Sequence, residues 1–576
     1  MQRWRKWSGN RGTTLWLSGL VLGFVACSDA RDAERPSASQ GSVDVVRETC
    51  EGNALLAGCS QPAYDLNADS VSGRPQPGGG LPAPMEATGS SADADDRVPS
   101  GDDFEAPGVN PFVMVDHDPL STFAVDVDTA SYDVFRRDIE DGVLPNPASV
   151  RLEEYVNFFP YDYPTAESSA EIPFSISLAA APSALAADLT LLRVGIQGKA
   201  PPPAQEKRPT NLVFLVDVSG SMSASDKLPL AQQVLRQALD LLEPNDTISI
   251  VSYGGDTQVR LATTPVAERD RIVTEITELA AAGSTNGASG ISLAYEQAQA
   301  AFIPGGTNHV ILCTDGDFNV GISNTGELVE LIREKRQTGI TFTALGFGRG
   351  NLNDAMLEAI SNAGNGFYGV ISSEAQAAEY VDERLLSTLS LIARDVKVQV
   401  EFNPEQVAAY RLLGYENRAI ADQDFRDDAV DAGEIGAGHR VTALYELVLA
   451  GGSLPEVAGA PAPTTGASYD GVREVTDSDL VEVKVRYKPI DATTTDPALE
   501  VAQSIAPSDV AGDLAEADLD LQWASAMAAF SEVLKQSPYA APVDLDAAGT
   551  VFEAQRERDA DRAEFYELFL AARDML

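Results

Sequence analysis

The chain has 576 residues and is 44% hydrophobic, enough for roughly two to four domains with real cores, so it is not disordered throughout. Its 87 acidic residues against 41 basic ones leave a net charge of −46, which repels phosphate backbones and excludes nucleic acid as a natural partner. The same charge also serves as a solubilising surface or an adaptation to salt, so by itself it assigns no binding face.

At the N-terminus, Arg3, Arg5, Lys6 and Arg11 precede an apolar run over 15–25 that is too short to span a bilayer comfortably, the layout of a secretion signal. The run closes on Phe24-Val25-Ala26-Cys27. This resembles the bacterial lipobox, with Phe24 where leucine is usual. The resemblance implies a lipoprotein signal peptide over 1–27, acylation of Cys27 and, from Ser28, sorting to the outer membrane. The alternative is an ordinary signal peptide with an incidental cysteine. Outside the cytoplasm, Cys50 and Cys59 are spaced for a local disulfide; otherwise they are two free thiols. Residues 28–108 are rich in Ala, Gly, Pro, Ser and Asp and read as a disordered tether, with a root-mean-square span on the order of 50 Å.

Order is expected to resume in a small α+β unit over 109–165, with a strand at 123–128 and a helix at 129–143. Asp126 and Asp128 suggest a cation loop, but helix capping by Asp128 or Thr129 explains them more simply and no metal is assigned there. Period-two alternation at 174–178 and 192–196, within 166–205, returns at 396–402, 441–449 and 481–487, within 396–500. Strands on both sides of a central module predict a β-sandwich with that module inserted into it. Helical spacing at 515–534 and 551–575 predicts a helical segment over 501–576 that packs onto the sandwich.

Between 206 and 395, strands and helices alternate: strand 212–216, helix 227–242, strand 247–253, then strands at 309–313 and 340–347. This predicts a doubly wound, mostly parallel α/β sheet, whose ligand site lies beyond the carboxyl ends of the strands. Cys313, inside an apolar strand, reads as a core residue. The first strand runs into Asp217-Val218-Ser219-Gly220-Ser221. Thr285, in Gly283-Ser284-Thr285-Asn286-Gly287, adds a hydroxyl, and Asp315, in Thr314-Asp315-Gly316, adds a carboxylate at the same edge. Hydroxyls with two carboxylates are hard-oxygen chemistry that suits Mg²⁺, with Mn²⁺ or Ca²⁺ open, better than Zn²⁺, which favours His or Cys. His117, His309 and His439 are scattered.

These residues resemble the metal ion-dependent adhesion site (MIDAS) of von Willebrand factor type A (VWA) domains: D-x-S-x-S, a distant Thr and a distant Asp. The resemblance implies that Asp217, Ser219, Ser221, Thr285 and Asp315 hold the cation, two carboxylates acting partly through water. It also implies an open coordination position for an acidic residue of a protein partner. Further likeness in Ser121-Thr122-Phe123, Asn403-Pro404, Leu413-Gly414-Tyr415-Glu416-Asn417-Arg418 and Asp431 to His439 is similar to YfbK-type VWA lipoproteins, in which a VWA-associated N-terminal domain and a C-terminal domain of unknown function flank the module.

The expected function is therefore divalent-cation-dependent protein binding, adhesive or scaffolding, at the cell envelope, with the membrane reached through the lipid anchor. One alternative is a structural envelope protein with a merely stabilising ion. A serine hydrolase is less favoured, because Ser219 and Ser221 need a base and His309 should lie at the far edge of the sheet. No G-x-S-x-G and no phosphate-cradling loop is present, so no enzyme is expected. Asp431 to His439 reads as a glycine turn into strand 441–449 rather than a site.

Overall fold

All eight residues of the strand Thr210–Asp217 are buried, a pattern that requires cover on both faces. The computed structural model, which describes residues 101–576 apart from 167–169, 187, 202–206, 284–286, 317–324, 431, 493–495 and 541–542, supplies that cover. The strand is central in a six-stranded sheet ordered Tyr368–Ile371, Thr341–Phe347, Thr307–Thr314, Thr210–Asp217, Thr247–Tyr253 and Gln258–Pro265. The pairs are parallel except the last, where Gln258–Pro265 forms an antiparallel edge. Successive side chains go to opposite faces. Leu212, Phe214 and Val216 pack with helix Leu228–Ala238, and Val213 and Leu215 with helices Gly287–Ala300 and Asp354–Ala363.

Two antiparallel sheets form the sandwich among the described residues. One runs Val113–Met114, Val407–Leu413, Arg440–Leu449, Thr190–Gly198, Phe174–Pro182; the other runs Gly433–Gly436, Leu391–Phe402, Val481–Pro489, Leu499–Ile505. Thr190–Gly198 pairs with Arg440–Leu449, so strands from before and after the parallel sheet share hydrogen bonds and the α/β module is an insertion. Leu192 and Val194 meet Val398, Val400 and Phe402 in the core between the sheets.

The N-terminal α+β unit is not separate, contrary to expectation. Leu120–Ala124 pairs with Leu391–Phe402, placing Phe123 opposite Val398, so its apolar residues complete the sandwich instead of a core of their own. Its helix Ala130–Glu140 packs against the C-terminal helices: Tyr132, Phe135, Trp523, Phe530 and Phe565 share one core. The predicted helix 551–575 is two helices, Leu545–Gln555 and Ala560–Met575. The break falls where Asp559 caps the second helix by accepting from the Arg562 amide at 2.8 Å. Asp128 does not cap its helix. Its Oδ1 accepts from the Tyr368 amide at 2.9 Å and its Oδ2 lies 3.4 Å from Arg418, a buried ion contact instead of a turn. The chain is also held earlier than the expected tether end: Asp102 Oδ1 accepts from the amides of Gly350 and Leu352, and Phe104 packs on the parallel sheet's core. Gly433–Gly436 is a strand in its own right, and His439 closes the turn after it by accepting from the Gly436 amide at 3.0 Å. Among the described residues no helix is long and apolar enough to cross a membrane. Residues 1–27 with Cys27, together with Cys50 and Cys59, lie outside the described residues.

Candidate metal site

Asp217 is the last residue of its strand, and the strand's register carries it to the carboxyl edge of the sheet, opposite Tyr253. There it is fully buried. Its Oδ1 accepts from the Ser219 amide at 2.8 Å and its Oδ2 from the Thr314 hydroxyl at 3.2 Å. These bonds turn the chain so that Ser219 and Ser221, the latter on the 3-10 turn Gly220–Ser223, bring their hydroxyl oxygens within 2.9 Å of each other. Asp315 follows the parallel strand Thr307–Thr314 and is equally buried. The loop before Thr285 is drawn to the same edge: Ala282 donates to the Val218 carbonyl, and the Gly220 amide donates to Gly283. Gly283 has φ +89°, and a Cβ there would sit 2.7 Å from the Gly254 carbonyl, so only glycine fits. Thr285 itself lies outside the described residues.

Two side chains that the sequence did not point to complete the edge. Lys227 Nζ donates to Asp315 Oδ2 at 2.8 Å, and Asn351 Nδ2 donates to the same oxygen at 3.2 Å. Asn351 follows the strand Thr341–Phe347, so the strand-end rule applied to every parallel strand would have found it. Lys227 stands just before a helix and carries no such signal.

The two carboxylates differ electrostatically. Burial pushes Asp217 up to about 6, against the bonds from Ser219 and Thr314 and with a further push from Asp315. Burial would raise Asp315 as well, but its hydrogen bonds from Lys227, Ser221 and Asn351 hold it below its ordinary value. Among the described residues no group of three or more His, Cys, Asp and Glu side chains could hold a metal, so a cation at this edge depends on the serine hydroxyls. Oxygen donors alone, without His or Cys, fit a hard divalent ion.

The histidines do not join the site. His309 pairs in register with Leu212, at the opposite end of the strand from Asp217, and donates to or accepts from Thr341 at 2.5 Å. Burial pushes it down to about 3, and it offers no base to Ser219. His439, similarly lowered by burial to about 3, serves its turn. His117 bonds the Ala467 carbonyl at 3.0 Å.

A doubly wound sheet with this edge defines a VWA-domain protein, and the profile of the von Willebrand factor type A domain matches residues 211–383. A von Willebrand factor profile matches 98–193, and one described as "Uncharacterized protein YfbK, C-terminal" matches 387–575. The protein named "Uncharacterized protein YfbK" of Escherichia coli (strain K12) is 38% identical over 439 residues, covering 75% of this chain and 73% of that one. The chain belongs to the YfbK family. It is also 29% identical over 177 residues to human inter-alpha-trypsin inhibitor heavy chain H3, a match that spans 20% of that protein. A von Willebrand factor type A structure from Catenulispora acidiphila is 16% identical, covering 70% of this chain and 91% of that one with a TM-score of 0.40. The VWA-domain relatives point to a protein-interaction module.

Proposed function

We propose that this chain binds a protein partner through a divalent cation, Mg²⁺ or in its place Mn²⁺ or Ca²⁺, held by Asp217, Ser219, Ser221 and Asp315 together with Thr285. The carrying observation is the convergence of two buried carboxylates and two serine hydroxyls, 2.9 Å apart, on loops at one sheet edge. The partner offers an acidic residue to the cation. The module works at the cell envelope, anchored by a lipid on Cys27 and sorted to the outer membrane, and it performs adhesion or scaffolding without chemistry of its own. The far position of His309 supports that reading over a serine hydrolase.

Isothermal titration with Mg²⁺ and Mn²⁺ tests the site. The wild type takes up the ion and Asp217→Ala does not, while both keep the same circular dichroism spectrum. Equal uptake by the two would remove the site, and partner capture that persists in chelator would remove the cation bridge. Cys27→Ser abolishes acyl labelling and releases the protein from membranes; unchanged retention would refute the anchor.

A further inference from the structure

Lys227 has no place in the five-residue adhesion pattern, yet it is built into the same edge. It is only 6% exposed, and its ammonium meets Asp315 Oδ2 at 2.8 Å. Its stem runs over Gly348, a glycine with φ +75°, where a Cβ would lie 2.5 Å from Lys227 Cγ. A buried ammonium is costly unless it is paired, and this one is paired with a carboxylate that the proposed cation would use. Lysine carries a compact point charge with rotatable donors, unlike the fixed fork of arginine, so it can shift away from one oxygen without dismantling a bidentate contact. Asn351 donates to the same oxygen at 3.2 Å and gives Asp315 a second anchor.

Resting on the cation reading above, we propose that Lys227 is the built-in counter-ion of this site: its ammonium neutralises Asp315 when no divalent ion is present and opposes the ion that binds. Two carboxylates and one ammonium leave one net negative charge at the edge, where two carboxylates alone would leave two. The ion-free site is therefore partly neutralised, and the fold does not wait for metal. The same positive charge, close to the incoming cation in a poorly solvated setting, lowers its affinity and keeps its binding reversible. Lys227 is a positioning and affinity-setting residue here, not a ligand.

The experiment uses the full chain with Mn²⁺ as the probe and compares wild type, Lys227→Met and Lys227→Gln, each by titration calorimetry and by thermal melting with and without chelator. Gln keeps a hydrogen-bond donor toward Asp315 and lacks the charge, so it separates the two roles if Met proves too disruptive to fold. The expected result is Mn²⁺ affinity tighter on the order of tenfold or more in both variants, since a nearby unit charge is removed. In chelator their melting temperatures fall below the wild type's, and Mn²⁺ raises them by more than it raises the wild type. Mn²⁺ binding by the variants that is equal to or weaker than wild type overturns the proposal and leaves the cation site standing, as does an unchanged melt in chelator. Absence of Mn²⁺ uptake by the wild type and both variants overturns the cation site itself, and the proposal with it.

Discussion

At the carboxyl edge of the parallel sheet, Asp217 and Asp315 stand among hydroxyls, a lysine and an asparagine. Where the VWA domain meets its flanking segments, carboxylates stand among guanidinium groups instead. Arg151 Nη2 lies 2.5 Å from both Asp354 and Glu358, and Arg418 Nη2 lies 2.8 Å from Asp126 and 3.4 Å from Asp128. Both regions bury acid, and the difference in partners separates their roles. Arginine forks are fixed, always charged and geometrically matched to carboxylates, so the junction is internally closed and holds three parts of the chain together. Small hydroxyls and a single flexible lysine leave the sheet edge able to exchange its positive charge. Carboxylate density alone does not tell the two regions apart; the companions do.

Breaking the junction gives the largest expected effect. Arg151→Ala leaves Asp354, Glu358 and the neighbouring Glu154 buried without their cation, and unpairing buried charge of this kind costs about 3–5 kcal/mol. Urea unfolding should show the loss as a lower midpoint, with Mn²⁺ uptake at the proposed cation site retained in the protein that remains folded. A midpoint unchanged from wild type would mean that the junction is not what holds the segments together.

The next effect concerns pH. Glu153 is buried with both carboxyl oxygens lacking a hydrogen-bond partner among the described residues, and it faces Glu416, Lys535 and Asp126. Burial first, then Glu416, pushes it from 4.5 to about 8, with Lys535 opposing. Between those values the native state holds a proton that the unfolded chain has lost, so this group's contribution is complete below pH 4.5 and is lost as pH rises toward 8. Glu153→Gln cannot ionise. Its melting temperature relative to wild type should climb from pH 5 to pH 8 and then level off; a flat difference across that window would assign Glu153 an ordinary carboxyl.

How much of each region could be read beforehand follows from how local its determinants are. Asp217, Ser219 and Ser221 lie within one loop behind an apolar strand, so a short stretch of sequence announced both the strand and the chemistry at its end. The sandwich insertion was equally legible because alternation is a local pattern, and Thr190–Gly198 found its partner in Arg440–Leu449. The junction was not legible: Arg151 meets Asp354 across 203 positions and Arg418 meets Asp128 across 290. No periodicity encodes such pairs, which is why Asp128 read as a helix cap. Lys227 escaped for the opposite reason, since a lysine beside a helix start looks like any solvated charge until Asp315 is placed against it.

One contact ties the two regions together and offers a medium-sized test. Arg137, on the helix Ala130–Glu140, pairs with Asp102 at 2.9 Å, and Asp102 in turn accepts from the amides of Gly350 and Leu352 at 2.8 and 2.9 Å. Asn351, between those amides, is the residue that donates to Asp315. Asp102→Ala orphans two backbone donors and leaves the buried Arg137 guanidinium paired with Asp138 alone, an expected cost of about 1–3 kcal/mol. Hydrogen exchange should quicken at Gly350 and Leu352 before it quickens in the sheet. Unchanged protection at both amides would show that the strap is not what orders the loop.

The smallest stability effect is expected at the proposed cation site. Asp217→Ala removes the acceptor for the Ser219 amide and the Thr314 hydroxyl, which is destabilising, yet it also removes a fully buried carboxylate that burial and Asp315 hold at about 6, which is stabilising. Asp315 keeps its charge partner in Lys227, so no unpaired charge is left behind. The two effects oppose each other and the net change in chelator should stay within about 1 kcal/mol, against the severalfold larger loss at Arg151. Thermal melts of Asp217→Ala and wild type in chelator should therefore nearly coincide, and only added Mn²⁺ should part them, by raising the wild type alone as binding to the native state requires. A large loss of stability in chelator would place Asp217 with the junction carboxylates, as a residue kept for the fold.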